Sequence, residues 1–227
     1  FYFNILRKGS SGLGESYIKG EFETNDLTSL IELSAKNINI TYRFSGFFQF
    51  SLLQSFLKRN MFNNTKDRSK KNISLHYDLG NEFFSTWLDK TLTYSCGIFN
   101  SSNETLEKAQ INKYNKLINM VKPRNGDKIL EIGCGWGGFA EHVAKNFDIK
   151  LDCITISKKQ FVFTKERIRK ANLNHKVNVQ MMDYRDVKKK YDIIISIEMI
   201  EAVGEKYLDK YFNTIKENLV PGGRGAI

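Results

Sequence analysis

The sequence predicts an α/β protein: a doubly wound, mostly parallel sheet with helices, preceded by a small α+β amino-terminal domain. Three observations carry that expectation. From residue 128 onward, apolar runs of strand length alternate with amphipathic segments of helix length, the order that builds a parallel sheet. The first of those strands carries an acid into closely spaced glycines, Ile129-Leu-Glu131-Ile-Gly133-Cys-Gly135-Trp-Gly137-Gly138. The first 60 residues instead break short apolar stretches with glycine clusters.

Residues 1–6 and 17–22 read as strands joined by glycine turns at 9–14. Asn25 or Asp26 caps a short helix carrying Leu27, Leu30 and Ile31. A helix over 47–57 places Phe47, Phe50, Leu53 and Leu57 on one face, with Phe48, Leu52 and Phe56 on the other, so it packs between domains or touches a membrane surface. Residues 61–73 form a linker, and 74–227 the larger domain. Leu106, Tyr114, Leu117, Ile118 and Val121 recur at helical spacing in 103–121, and Pro123 ends that helix. The remaining order is strand 128–132, helix 139–146, strand 149–156, helix 158–171, strand 177–182, strand 191–197, helix 205–218 and a strand from 223. The sequence shows no internal repeats.

With 227 residues, 41% of them hydrophobic, the chain can bury a sizeable core. No apolar run reaches the ~18 residues needed to span a bilayer, and no leader is legible, so a soluble cytoplasmic protein is expected. It starts at Phe1 and stops within an apparent strand, so it reads as part of a longer protein whose last strands lie downstream. Cys96, Cys134 and Cys153 are odd in number and lack metal-ligand spacing, which suggests neither disulfides nor a metal site. The net charge of +10 is concentrated: Lys58, Arg59, Lys66, Arg68, Lys70 and Lys71 face one acid, Asp67. Such a segment suits nucleic acid, an anionic lipid surface or plain solvent.

Gly133-x-Gly135-x-x-Gly138 lets backbone approach a nucleotide cofactor and aims a helix amino terminus at it. A dinucleotide site also expects an acid about 20 residues later, at the end of the second strand. Here that strand ends in Thr155-Ile-Ser157, while the acid precedes the glycines at Glu131, where it reaches ribose hydroxyls or fixes the loop. The arrangement favours S-adenosylmethionine.

Several stretches together resemble the cyclopropane-fatty-acyl-phospholipid synthases. They are His76-Tyr-Asp-Leu-Gly-Asn-Glu-Phe-Phe84, Leu92-Thr-Tyr-Ser-Cys-Gly-Ile-Phe99, the glycine run, Thr155-Ile-Ser-Lys-Lys-Gln160, Asp183-Tyr-Arg-Asp186 and Ser196-Ile-Glu-Met-Ile-Glu-Ala-Val-Gly204. Gly12-Leu-Gly-Glu-Ser-Tyr17 resembles the amino-terminal domain of the bacterial enzymes. The resemblance implies a class I, Rossmann-like methyltransferase that moves a methyl from S-adenosylmethionine to a cis double bond of a phospholipid acyl chain. The resulting carbocation would close to cyclopropane after deprotonation by bound bicarbonate. It further implies Cys96 and Glu201 in the bicarbonate site, with Glu198 ranked second to Glu201. Tyr94 and Ser95 fall at the methionine end of the cofactor, Gly133 and Gly135 at its centre, Thr155 and Gln160 at the ribose, and Tyr184 beside the adenine, from whose amino group Asp183 would accept a hydrogen bond.

Further family residues, a histidine and a tyrosine, would lie beyond the end of this chain, and neither His142 nor His175 substitutes for them. With lipid as substrate, the basic segment gains an anionic membrane face as partner, peripheral to the inner membrane. Nucleic acid is not an expected partner: amino-methylating enzymes of that class carry Asp/Asn-Pro-Pro-aromatic after the fourth strand, and this chain has only Pro123 and Pro221. Methyl-branching of fatty acids and N-methylation of small amines remain alternatives, and a homodimer is left open.

Overall fold

The computed structural model describes residues 1–37 and 80–227. The chain divides into two compact units, Phe1–Asn63 and Asn64–Ile227. The helix expected over 47–57, the basic linker and the beginning of the His76 motif lie outside the described residues.

The first unit differs from the sequence expectation. Segments read as strands are helical: α1 spans Tyr2–Lys8, α2 Ser10–Ile18 and α3 Leu27–Lys36, with no strand among the described residues. Only Gly9, at φ 60°, makes a turn between α1 and α2. Gly12 lies inside α2 at a helix crossing so close that a Cβ would stand 2.1 Å from the Asn4 carbonyl oxygen. Beside it, buried Ser16 accepts from Asn4 Nδ2 at 3.2 Å and donates to Glu21 at 2.7 Å. Glycine served close packing here, whereas the sequence suggested bending. The cap on α3 is as expected, with Asp26 accepting from the Ser29 amide at 2.9 Å.

In the second unit, α4 (Gly80–Ser85) and α5 (Leu106–Val121) precede the sheet. Thr105 caps α5, and Lys122 closes it in a left-handed conformation just before Pro123. The sheet is formed by β1 (Lys128–Ile132), β2 (Lys150–Thr155), β3 (Val177–Met181), β4 (Tyr191–Ser196) and β5 (Leu219–Ala226). Its order is β3-β2-β1-β4-β5 and every pairing is parallel. Between the strands lie α6 (Gly138–Asn146), α7 (Lys158–Lys170) and α8 (Leu208–Asn218). The expected doubly wound α/β architecture is therefore present. The expected helix from 205 begins as a short 3₁₀ turn, Glu205–Tyr207, and β5 starts earlier than 223. Leu219 pairs with Tyr191 and Arg224 with Ile193, so the strand bulges across Pro221, and a bulge tolerates the missing amide donor.

Alternation along the strands divides the core. Ile129, Leu151, Cys153, Ile193 and Ile195 pack with residues from α5, α6 and α7. Leu130, Ile132, Ile154 and Ile194 pack with Tyr211 and Ile215 of α8. Each fully buried aliphatic side chain contributes about 1.5–3 kcal/mol. The strand order reverses between β1 and β4, so a crevice opens at their carboxyl ends.

Gly138 begins α6 where a Cβ would meet the Tyr114 hydroxyl at 2.6 Å and the Thr91 carbonyl oxygen at 2.9 Å. Gly138→Ala is expected to cost about 1–3 kcal/mol by overpacking. Gly14→Ala, at an exposed helical position with nothing within 4 Å of the new methyl, should be neutral or slightly stabilising. Thermal denaturation of both variants checks the contrast; equal melting temperatures would refute it.

Candidate active site at the carboxyl edge of the sheet

The turn after β1 is made by three left-handed glycines, Gly133 (φ 81°), Gly135 (φ 52°) and Gly137 (φ 80°). The amides of Gly133 and Cys134 both donate to Ile154 O at 3.0 Å, tying the turn to β2. Its far side is braced by α7: Thr164 Oγ1 donates to Gly135 O at 3.0 Å, and Arg167 donates to Trp136 O at 2.8 Å and Thr91 O at 2.7 Å. A Cβ on Gly135 would meet nothing within 4 Å, so this glycine borders open space. That space is a cavity of about 1000 Å³.

All eleven residues singled out in the sequence line this cavity. Tyr94, Ser95 and Cys96 come from the segment between α4 and α5, Glu131 from β1, Gly133 and Gly135 from the turn, and Thr155 and Gln160 from the end of β2 and first turn of α7. Asp183 and Tyr184 follow β3, and Glu201 lies in the 3₁₀ turn Ile200–Ala202 after β4. Thr155 Oγ1 donates to Gln160 Oε1 at 2.8 Å, so these two form one unit. Asp183 is engaged more fully than the sequence suggested: the Arg185 guanidinium grips both its oxygens, at 2.8 and 2.7 Å, and the Arg185 amide donates to Oδ1 at 3.0 Å. Its local work is to cap the turn that presents Tyr184, whose ring packs edge-on against Tyr211 at 5.3 Å.

The two glutamates after β4 stand differently. Glu201 is exposed. Glu198 accepts the Cys96 amide hydrogen at 2.8 Å, and it does so from a left-handed backbone, φ 43°. The Cys96 thiol pKa is pushed up by a hydrogen bond to Glu198 and by burial.

Three positions escaped the sequence reading. Gln110 and Lys113 of α5 are buried, at 1% and 6% exposure. Gln110 Nε2 donates to Ser95 O at 2.7 Å, and Lys113 donates to Cys96 O at 2.7 Å and to the Ser95 hydroxyl. They share the helical stripe of Tyr114, Leu117, Ile118 and Val121, so polar residues on an apolar face were the legible signal. Arg167 carried no such signal, because apart from Glu141, 3.2 Å from its Nε, its partners are backbone carbonyls.

Burial dominates the electrostatics. It lowers the Lys113 pKa, although Glu198 and Cys96 pull it back upward. Tyr114, hydrogen-bonded to Thr93, is raised to about 12. Glu131, 3% exposed, is pushed up to about 8. Its Oε2 and the Oε1 of Gln110 are buried acceptors with no donor among the described residues. Two orphaned acceptors in one cavity wall call for a ligand that brings donors.

Relatives share this scaffold. Residues 64–227 match the mycolic acid cyclopropane synthetase family. Tuberculostearic acid methyltransferase UfaA1 of Mycobacterium tuberculosis is 33% identical over 98% of this chain and 53% of its own length. Cyclopropane-fatty-acyl-phospholipid synthase of Escherichia coli is 34% identical over 98% of this chain and 56% of its own. The chain thus spans about half the length of these curated relatives. The crystal structure of mycolic acid cyclopropane synthase CmaA1 complexed with SAH and CTAB superposes at TM-score 0.64, with 28% identity, over 66% of this chain and 53% of that one. A glycine turn at the switch point of a parallel sheet, matched along most of the chain by these proteins, places it in a family: the chain belongs to the mycolic acid cyclopropane synthetase family.

Proposed function

We propose that this chain is part of an S-adenosylmethionine-dependent transferase that alkylates the cis double bond of an unsaturated phospholipid acyl chain and closes a cyclopropane ring. The observation that carries this reading is the pairing of the two orphaned acceptors, Gln110 Oε1 and Glu131 Oε2, with the open side of Gly135 in one cavity. A cofactor with an ammonium group and ribose hydroxyls brings the donors these acceptors lack. The SAH in the CmaA1 structure and the substrate named for the Escherichia coli relative support the same reading.

When bound, S-adenosylmethionine supplies an electrophilic methyl. An alkene is a feeble nucleophile with no proton to lose beforehand, so the protein's contribution is positioning and exclusion of water. Trp87, Leu92, Leu106, Ile197 and Met199 give the cavity an apolar wall for an acyl chain. Its volume is at the upper end of the roughly 300–1,000 Å³ usual for small-molecule sites. Positive charge developing on the acyl chain is complemented by Glu198 and Glu201 in the same wall. Bicarbonate, when bound, supplies a proton acceptor. Cys96 and Glu201 would hold it, Glu201 accepting from its protonated oxygen, and the Lys113 ammonium against Cys96 O offsets its charge.

The relative named as a tuberculostearic acid methyltransferase favours a second reading in which a methyl branch replaces the ring. The likeness to coclaurine N-methyltransferase, at 23% identity, extends to the fold alone. No helix among the described residues is long and apolar enough to cross a membrane. The basic segment around residues 58–71 would dock the protein on the anionic face of the inner membrane from the cytoplasm, with about 1 kcal/mol available per Lys or Arg.

In cells making the full-length protein, phospholipid mass spectrometry should show unsaturated chains gaining one CH₂, with the gain lost in Glu201→Gln. A gain that keeps no ring under degradative analysis selects the branching reading, and unchanged lipids sink both. Because its folded pKa lies above the ordinary 4.5, Glu131 holds extra protons and costs stability as pH rises from about 4.5 to 8. A ligand donating to Glu131 favours the carboxylate, so S-adenosylmethionine binding should release protons at pH 7 and strengthen up to about pH 8. Calorimetry in buffers of different ionisation enthalpy reads this, and Glu131→Gln should abolish the release. Binding to anionic liposomes should weaken steeply between low and moderate salt; salt-insensitive binding would rule out the docking surface.

A further inference from the structure

Cys96 is held at both ends of its own backbone by opposite charges. Glu198, from the turn after β4, accepts its amide hydrogen at 2.8 Å. Lys113, from α5, donates to its carbonyl at 2.7 Å and also to the Ser95 hydroxyl. Gln110, one helical turn before Lys113, donates to the Ser95 carbonyl at 2.7 Å. The segment that lines the cavity through Tyr94, Ser95 and Cys96 is therefore gripped by α5 on one side and by the sheet edge on the other. The sheet-side grip is strained, since Glu198 keeps a left-handed backbone of φ 43°, a conformation suited to glycine.

We propose that Glu198 is a positioning residue: its carboxylate clamps the Cys96 peptide across the cavity and, with Lys113, fixes the wall against which the methionine end of the cofactor lies. The inference rests on the cofactor reading above and adds a residue that the family resemblance ranked second to Glu201. A glycine at 198 would relieve the backbone but leave the Cys96 amide without its acceptor. A side chain retained there at a conformational cost points to work done by its carboxylate. The charged groups facing Cys96 are Glu198 and Lys113, with Asp89 acting on Lys113 in turn. The carboxylate also disfavours the thiolate, which keeps a negative charge from forming where an anion is to be held.

The test compares Glu198→Gly, Glu198→Gln and the unaltered protein as the cell makes it, by three readouts. Glu198→Gly should melt at the same or a higher temperature. It should bind S-adenosylmethionine about tenfold more weakly, the effect of losing one hydrogen bond to a charged group. Its Cys96, mapped by mass spectrometry, should react with iodoacetamide roughly threefold faster or more. Glu198→Gln keeps an acceptor oxygen and should bind within about threefold of the unaltered protein. Unchanged affinity and alkylation in Glu198→Gly would overturn the clamp, and so would a markedly lower melting temperature. Failure of the unaltered protein to bind S-adenosylmethionine would sink the cofactor reading, while alkylation and melting still decide whether Glu198 clamps Cys96.

Discussion

Between Ile132 and Phe139 the backbone must leave a buried strand, reverse without side-chain bulk, and enter a helix packed under Tyr114. Three left-handed glycines allow the reversal, and a fourth, Gly138, allows the close approach to Tyr114 and Thr91. The cavity exists because this turn stays open on the Gly135 side while Thr164 and Arg167 hold its other side. The segment from 90 to 96 is fastened to the same frame, since Arg167 binds Lys90 O, Thr91 O and Trp136 O together. Turn and facing wall thus share one guanidinium.

Around that frame the buried polar groups divide into two kinds. Some are internally matched: Thr155 with Gln160 and Asp183 with Arg185. These rigidify the edge of the sheet, because each partner's desolvation is compensated within the fold. Others are incomplete, notably Glu131 and Gln110. An incomplete buried acceptor costs stability in the empty protein and returns it when a donor arrives, which is how a binding site differs from a core. The Glu131 carboxyl, whose pKa burial pushes up to about 8, is the sharpest instance.

The same logic explains why charged residues flank Cys96. An ammonium and a carboxylate acting on one peptide partly neutralise each other across a short distance, so the wall is held by strong hydrogen bonds with little net field. What field remains would suit the proposed alkylation, in which positive charge would grow on an acyl chain lacking polar groups of its own. The apolar residues of the wall, Trp87, Leu92 and Leu106 among them, would leave such a charge little solvent.

Much was legible in the sequence. Period and length marked each strand of the sheet to within a few residues, most clearly β1, β2 and β4, because parallel strands buried on both faces read as apolar runs whatever surrounds them. The acid-glycine turn marked the site, because only glycine fits its backbone. Tertiary structure decided what depends on partners distant in the chain. Of the amino-terminal glycines, Gly9 makes a turn while Gly12 proved to be a packing residue inside a helix, needed only because α1 crosses there. Asp183 turned inward to Arg185, and Glu198, 102 residues from Cys96, became the glutamate in contact with it. Local pattern reports the conformation a residue prefers; which atom completes its hydrogen bond is determined by the folds that bring remote segments within 3 Å.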